Sequence, residues 1–223
     1  MKIQIKISTI IKFLSIFTLS LIAIHVIILI IYFTINNPKE FDFVRMFDLD
    51  MERNIPTLFS SLLFSISSLL FYLLSKSQKE KYRYWIGLSI VFIFLAFDES
   101  AKIHEQLGDY TENFIDATGY LYYPWFISYG IFVVILAIIY SRFFWNMPKK
   151  LFYSFVLSAV IFISGAIGFD ILGANEASHH GEETILYCVY YTIEESLEMF
   201  GLIYLISILL NILESDNSMV LIE

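Results

Sequence analysis

The segment that decides the fold is WIGLSIVFIFLAFDESAKIHE, residues 85–105, in which an apolar run ends in charged and imidazole side chains. Apolar runs close to the roughly 20 residues that cross a bilayer recur along the chain. Placing Asp, Lys or Arg at the middle of a membrane helix costs about 2.5–3.5 kcal/mol, and such residues usually serve a function. The segment therefore predicts a membrane helix that carries part of a functional site near its end.

The composition of the 223 residues is that of an integral membrane protein. Hydrophobic residues make up 58% of the chain and aromatic residues 18%, and the mean hydropathy is +0.70. These values exclude an ordinary soluble domain. The net charge of −8 argues against nucleic acid as a partner. The lone Cys188 cannot form an intrachain disulfide. We therefore predict a single all-α membrane domain over residues 1–223.

Six transmembrane helices are predicted, separated by polar loops. Their ranges are 11–34, 56–75, 82–106, 123–145, 151–174 and 184–213. The first apolar run is too long for the core of a signal peptide and lacks a small-residue cleavage site, so we expect it to be retained. A stripe of small side chains on the second helix indicates close helix packing: Ser61, Ser65, Ser68 and Ser75.

The lysines and arginines predict the orientation of these helices. Most of the 14 basic residues fall on one side of the membrane: Lys2, Lys6, Lys12, Lys76, Lys79, Lys81, Arg83, Arg142, Lys149 and Lys150. The positive-inside bias then places both termini in the cytoplasm and the loops at 35–55, 107–122 and 175–183 outside. The Ile-, Lys- and Asn-rich composition hints at a bacterial genome, so we expect a multi-pass protein of the bacterial inner (plasma) membrane.

A second acidic cluster, Glu194-Glu195-Ser196-Leu197-Glu198, interrupts the last apolar run. At the helical rise per residue, Asp98 lies about 20 Å from Trp85 at the inner boundary. Glu198 lies about 20 Å from Asn211 near the same boundary. Because the two clusters reach the same depth on separate helices, we predict that they converge in the outer third of the membrane.

The charged residues of the third helix do not share a single direction on an ideal helix. Asp98, Lys102 and Glu105 recur at i, i+4 and i+7 and lie on one face, whereas Glu99 and His104 flank it. Lys102 can pair with either carboxylate of its face, which lowers the cost of burying them. Either the helix is distorted here, or different neighbours use different side chains. The simpler alternative is that the helix has left the membrane at Asp98 and its end is solvated.

The last helix carries the stronger signal. One face of this helix carries two tyrosines, Tyr187 and Tyr191, followed by Glu194 and Glu198, and Glu195 lies to one side of it. Carboxylates this close repel one another when all are ionised, so they must share protons or bind a cation. A water-filled vestibule that only solvates them is the alternative.

Ligand types suited to a divalent metal gather at the same predicted depth. Carboxylate and imidazole groups suit iron, zinc and manganese, although histidines in loops are more often only solvent-exposed. We predict a metal site drawn from Asp98, Glu99, His104, Glu105, Asp170, His179, His180, Glu194, Glu195 and Glu198. Catalytic roles are expected for Asp98, Tyr191, Glu194 and Glu198. Mid-span His25 is interpreted as a hydrogen-bonded packing residue, and Tyr123 and Trp125 as part of an interfacial aromatic belt.

The Asp-Glu-x4-His-Glu segment at 98–105, the Gly-rich helix before Asp170 and the Glu-Glu-x-x-Glu segment at 194–198 resemble a group of small uncharacterised bacterial polytopic membrane proteins. The resemblance covers most of residues 84–205 and implies an architecture without an activity. Ser100 and His104 also match the Ser-x3-His of the alkaline-ceramidase superfamily. Glutamates stand where that superfamily has a late His-x3-His helix, so its activity is not assigned.

Three functions remain open from the sequence. The preferred one is a metal-dependent membrane hydrolase or oxidase acting on a membrane lipid or similar amphiphile, since the site lies where headgroups meet acyl chains. The second is a small proton- or cation-coupled transporter or channel, against which the lack of an internal repeat counts, although a homodimer would supply the missing half. The third is a membrane sensor or assembly subunit whose acidic face recognises a partner.

Overall fold

The computed structural model describes residues 6–35, 42–51 and 53–216. Helices joined by short loops make up this part of the chain, and no β-strand occurs in it. The helices are α1 Ile7–Ile35, α2 Asp42–Arg45, α3 Ile55–Ser77, α4 Tyr82–Ala101, α5 Ile103–Glu112, α6 Trp125–Trp145, α7 Lys149–Ile163, α8 Asp170–His180 and α9 Ile185–Ser215. A π-helical turn, Ser164–Phe169, joins α7 to α8. Lys2, which contributes to the predicted charge bias, lies outside the described residues.

Six helical units in the described ranges are long and apolar enough to cross a membrane. This number agrees with the six spans predicted from the sequence. The fifth unit is longer than predicted, because the π turn keeps α7 and α8 continuous to His180 rather than ending near residue 174. His179 and His180 therefore occupy the last turn of a helix, and their predicted position in a loop was wrong.

The centre of the bundle is α9, which packs against α1, α3, α7 and the π turn. Its second half is apolar on all sides, as expected of a helix surrounded by others. The side chains buried there and on the facing helices fill the bundle between its middle and the end formed by residues 77–83. The largest of them are Trp85, Phe71, Leu63, Leu74, Met199, Ile206, Leu209 and Leu213.

Helices α3 and α4 pair through small hydroxyl side chains. Ser68 Oγ donates to the backbone oxygen of Ser89 at 2.8 Å, and Ser89 Oγ donates back to the oxygen of Ser68 at 2.9 Å. Ser61 Oγ donates to the backbone oxygen of Ala96 at 2.8 Å. Small residues let two helix backbones approach closely, and hydroxyl groups join them where water is absent. The packing role predicted for the serine stripe is confirmed at these positions.

Helix α4 ends earlier than predicted because Lys102 adopts the left-handed conformation, with φ 56° and ψ 43°. This conformation is uncommon for a residue with a Cβ. It ends α4 at Ala101, and α5 starts a new axis at Ile103. The predicted continuous span over 82–106 is therefore wrong at its end, and α5 occupies part of the predicted loop at 107–122.

We expect Lys102→Gly to stabilise the protein. A left-handed residue with a Cβ costs about 1–2 kcal/mol, which glycine avoids. The lost pair between Lys102 Nζ and Glu105 Oε1, 3.0 Å apart and partly exposed, contributes only a few tenths of a kcal/mol. A net gain of about 1 kcal/mol should raise the Tm by about 2–4 °C in detergent. Lys76→Gly within α3 is the control, and it should lower the Tm. A lower Tm for Lys102→Gly would contradict this account of the break.

Candidate functional site

A cavity of about 360 Å³ opens at the end of the bundle where α9 begins. Nine acidic residues line it: Asp50, Asp98, Glu99, Glu105, Asp170, Glu182, Glu194, Glu195 and Glu198. Among the described residues that line the cavity, His104 is the only basic side chain. Its floor is apolar and consists of Phe64, Leu95 and Phe162. The cavity therefore concentrates negative charge above a hydrophobic base.

The structure brings the acidic clusters of α4 and α9 into this one cavity. Glu198 of α9 interacts electrostatically with Asp98 and Glu99 of α4 and with Asp170 of α8. Glu194, one helical turn before Glu198, also interacts with Asp170. Three separate helices thus contribute carboxylates to one site, as the matching depths of the sequence clusters indicated.

Asp98 holds His104 at two points. The backbone N–H of His104 donates to Asp98 Oδ1 at 2.7 Å, and His104 Nδ1 lies 3.4 Å from Asp98 Oδ2. The imidazole ring also packs edge-on against Trp125 and Tyr129, with ring centroids 5.2 Å and 6.2 Å apart. This arrangement depends on the left-handed Lys102, because it turns the first residues of α5 back towards the end of α4.

Asp170, the first residue of α8 after the π turn, lines the cavity. Its side chain is only 8% exposed. The side chain of Trp125 lines the same cavity, and Asp170 Oδ2 has no hydrogen-bond partner among the described residues. Single π-helical turns within α-helices are frequent at functional sites.

Contact between the π turn and α9 sets the position of Asp170. A Cβ added at Gly165 would lie 2.6 Å from the backbone oxygen of Glu194. Only glycine allows the two backbones to approach this closely. The same approach places Asp170 beside the carboxylates of α9.

A mouth cluster, Asp50, Tyr123, Glu182 and Tyr187, joins three segments at the cavity entrance. Tyr187 donates its hydroxyl to Asp50 Oδ1 at 2.9 Å, and Tyr123 donates to Glu182 Oε1 at 2.7 Å. The two hydroxyl oxygens lie 3.4 Å apart. Burial raises the pKa of Tyr123, which precedes α6, so its hydroxyl stays protonated and able to donate.

The segment that carries Asp50 is anchored to α1 by His25. Leu49 donates its backbone N–H to His25 Nδ1 at 3.2 Å, and Asp48 Oδ1 lies 3.4 Å from the same nitrogen. The His25 side chain is fully buried. The predicted role of His25 as a hydrogen-bonded packing residue is confirmed. Its consequence for the site is that Leu49 and Asp50 are held over the cavity.

The structure does not bring the His179–His180 pair into the cavity. His179 Nδ1 lies 2.8 Å from the backbone oxygen of Asn175, and His180 Nδ1 lies 3.1 Å from Glu176 Oε2. Both imidazoles are exposed at the end of α8. Glu105 lies at the cavity edge, where it pairs with Lys102. In the described part of the chain, no three His, Cys, Asp or Glu side chains are already arranged as a metal-ligand set.

Sequence reasoning missed several cavity residues: Asp50, Tyr123, Trp125 and Tyr129. Tyr123 and Trp125 were interpreted as an interfacial belt because aromatic residues are common there. Asp50 lies 48 residues from Asp98 along the chain, and its contact with Tyr187 depends on long-range packing. The acidic loop around Asp48 and Asp50 was the one signal that pointed to this side of the site.

Tyr187→Phe tests the mouth cluster. Loss of the hydroxyl leaves Asp50 without this donor and should cost about 1 kcal/mol, lowering the Tm by about 2–4 °C. Tyr190→Phe is the control, because Tyr190 lies outside the cavity lining. The Tm of this variant should equal that of wild type. Equal Tm values for all three proteins would show that the mouth hydrogen bond contributes nothing to stability.

A family model described as Domain of unknown function (DUF8692) matches residues 15–213. The matched range includes every residue that lines the cavity. No curated protein and no solved structure matches the chain.

Proposed function

Because the chain belongs to the DUF8692 family, a domain of unknown function, we propose a role from its own cavity. The protein is an integral membrane enzyme whose outward-facing carboxylate and histidine site binds a divalent metal for chemistry on a lipid-like substrate. The observation that carries this proposal is that, among the described residues, nine acidic side chains line one cavity together with the imidazole of His104: Asp50, Asp98, Glu99, Glu105, Asp170, Glu182, Glu194, Glu195 and Glu198.

The basic residues support a placement of the protein in the membrane. Lysines and arginines at 76–83 and 142–150 lie at the end of the bundle opposite the cavity. The positive-inside bias makes that end cytoplasmic, with both termini. The cavity then opens towards the outside at the level of the lipid headgroups, in the plasma membrane of a bacterium. This position suits an amphiphile whose polar part enters the cavity while its chain stays in the bilayer.

Electrostatics favour a bound cation. Two carboxylates about 5 Å apart repel each other by about 3 kcal/mol at an effective dielectric constant of 20, and Glu194 and Glu198 each face several other carboxylates in this cavity. A divalent ion offsets this repulsion, and the mixture of carboxylate and imidazole suits manganese, iron or zinc. Since no ligand set is preassembled in the described residues, the metal is bound after side-chain rotation, with waters completing its shell. The 360 Å³ cavity has room for them at about 30 Å³ each.

The residues around the cavity support hydrolytic chemistry. A bound divalent ion would lower the pKa of a coordinated water and polarise a substrate carbonyl or phosphoryl group. The imidazole of His104, held by Asp98, is placed to exchange a proton with water in the cavity. The hydroxyl of Tyr191, which lines the same cavity, would donate a hydrogen bond to the substrate.

The packing below the cavity favours a one-sided site over a transport pathway. The floor residues Phe64 and Phe162 meet edge-to-face with centroids 5.7 Å apart. Beyond them, fully buried side chains such as Leu63, Phe71 and Met199 fill the bundle. Transport would require this packing to open.

Elemental analysis of the detergent-purified protein tests the proposal. We expect stoichiometric manganese, iron or zinc, lost in Glu194→Ala and retained in Glu214→Ala, since Glu214 is exposed at the far end of α9. Proteoliposomes of bacterial polar lipids should then show a change in lipid composition by mass spectrometry that chelation prevents. Metal-free protein with pH-dependent ion flux would instead identify a transporter. Metal-free protein without flux, copurifying with a partner, would identify a sensor or assembly subunit.

A further inference from the structure

The acidic cavity contains a carboxylate oxygen that lacks a hydrogen-bond donor. Asp170 lines the cavity, the residue is more than nine-tenths buried, and its Oδ2 atom has no hydrogen-bond partner in the described part of the protein. Buried acceptors in folded proteins are almost always paired with a donor. An occupant of the cavity that supplies an N–H donor is therefore favoured over one that supplies only acceptors.

The charge of the lining favours the same kind of occupant. Nine described side chains of the lining are acidic, and the imidazole of His104 is the one basic group among them. Glu194 interacts electrostatically both with Asp170 and with Asp50 of the mouth cluster, so negative charge extends from the mouth to Asp170. One divalent ion and one imidazole supply fewer positive charges than these acidic groups can carry. A cationic substrate group is therefore favoured even beside a bound metal, since complementary charge steers a ligand into a site and like charge is rejected.

The hydroxyl groups at the mouth offer little to an anion. Tyr187 donates its hydroxyl to Asp50 Oδ1 at 2.9 Å, and Tyr123 donates to Glu182 Oε1 at 2.7 Å. Because a hydroxyl has one hydrogen to donate, both donors are used within the mouth cluster. A phosphate or sulfate group that passes these residues meets oxygen acceptors, which repel it, whereas an ammonium group meets partners for its N–H donors.

Hydrogen-bonding capacity separates a primary ammonium from a quaternary one. A primary ammonium has three N–H donors, so it can satisfy Asp170 Oδ2 and donate to further carboxylates at the same time. A quaternary ammonium has no N–H and would leave Asp170 Oδ2 unpaired. The volume of about 360 Å³ lies at the small end of the roughly 300–1,000 Å³ that is usual for small-molecule sites, which suits a compact group.

We propose that the substrate is an amphiphile whose polar part carries a primary ammonium group, and that this group donates a hydrogen bond to Asp170 Oδ2. The carboxylates of Asp50 and Glu182 attract it at the mouth, and its hydrocarbon chain stays in the bilayer. This inference rests on the proposed function and names the substrate class of the same cavity. The ammonium group and the metal share the acidic lining.

Calorimetric titration of the full-length protein in an uncharged maltoside detergent tests the substrate class. The probes are hexylammonium, hexyltrimethylammonium, hexyl sulfate and methylammonium, each below its micellar concentration and corrected against protein-free micelles. Hexylammonium should bind about 10-fold or more tightly than the other three, since a hydrogen bond to a charged group has about this effect. Methylammonium separates a free amine from an amphiphile, because it has the same charged group without the chain. Elemental analysis of the same preparation gives the metal content.

Three variants locate the ammonium group. Asp170→Asn, which keeps the side-chain shape, should raise the Kd of hexylammonium by about 10-fold or more. Asp50→Asn should raise it several-fold and leave the metal content unchanged. Asp116→Asn makes the same charge change at an exposed residue outside the cavity lining, and its Kd should equal that of wild type. Circular dichroism and gel filtration establish folding, and the probe series on wild type decides the question if Asp170→Asn does not fold.

The outcomes separate the substrate class from the broader proposal. Hexyl sulfate or hexyltrimethylammonium that binds as tightly as hexylammonium overturns the primary ammonium, as does an unchanged Kd in Asp170→Asn, and a metal-containing protein then remains a metal enzyme. Methylammonium that binds as tightly as hexylammonium overturns the amphiphile. Metal-free protein that still prefers hexylammonium overturns the metal enzyme and keeps the ammonium site.

Discussion

Glu198→Gln is expected to abolish metal-dependent turnover while the protein still folds and inserts. The change keeps the shape of the side chain and removes its charge from the group formed with Asp98, Glu99 and Asp170. Loss of an outer-shell partner alone costs 10–100-fold in metal affinity or activity, so loss of a ligand should exceed roughly 100-fold. Metal content and lipid turnover in proteoliposomes, measured on the same preparation, report the effect.

The matched control for this variant is Glu214→Gln. Glu214 lies on the same helix, 16 residues further on, and is exposed at the end opposite the cavity. The Glu214→Gln protein should bind metal and turn over lipid as wild type does. A fully active Glu198→Gln protein would show that α9 does not carry the site.

Gly165→Ala is expected to damage both stability and metal binding. The new Cβ would lie 2.6 Å from the backbone oxygen of Glu194 and 3.1 Å from Leu197 Cβ. Because a backbone atom cannot rotate away, the π turn and α9 must separate. Overpacking of this kind costs about 1–3 kcal/mol. The separation also moves Asp170 away from Glu194, so metal affinity should fall together with the Tm.

Gly168→Ala separates this steric effect from a general effect of losing a glycine. Gly168 lies in the same π turn, and a Cβ added there meets nothing within 4 Å. Its Tm and metal affinity should equal or exceed those of wild type, since alanine favours helix over glycine by about 1 kcal/mol. If Gly165→Ala and Gly168→Ala behave alike in thermal unfolding and metal titration, the contact between the π turn and α9 does not set the site.

The helices themselves could be predicted from the sequence because they depend on local composition. Six apolar runs of sufficient length gave the six units found in the described residues. The rise per residue then placed Asp98 and Glu198 at one depth, and they meet in one cavity. Depth is a one-dimensional property that a count along the chain can supply.

The interruptions of those helices could not be predicted in the same way. The energetic cost of the left-handed Lys102 is offset by the hydrogen bond that the backbone N–H of His104 donates to Asp98. The π turn is shaped by the contact of Gly165 with α9. An ideal helix puts Asp98, Lys102 and Glu105 on one face, which the break removes. Both irregularities depend on residues that meet only in the folded bundle, and both determine which side chains reach the cavity.

The aromatic residues of the site were hidden for a related reason. Trp125 and Tyr129 lie one helical turn apart at the start of α6, where amphipathic rings are common at membrane interfaces. Only the packing of α5 against α6 shows that these rings face His104. The sequence pattern of a belt residue and of a site residue is the same.

Anomalous diffraction from crystals of the full-length protein soaked in Mn²⁺ measures the central claim most directly. A metal-binding cavity built by α4, α5, α8 and α9 predicts a strong anomalous peak bounded by His104, Asp170, Glu194 and Glu198. Absence of any peak in the cavity at saturating Mn²⁺, with manganese found only on the exposed imidazoles of α8 or nowhere, would contradict it.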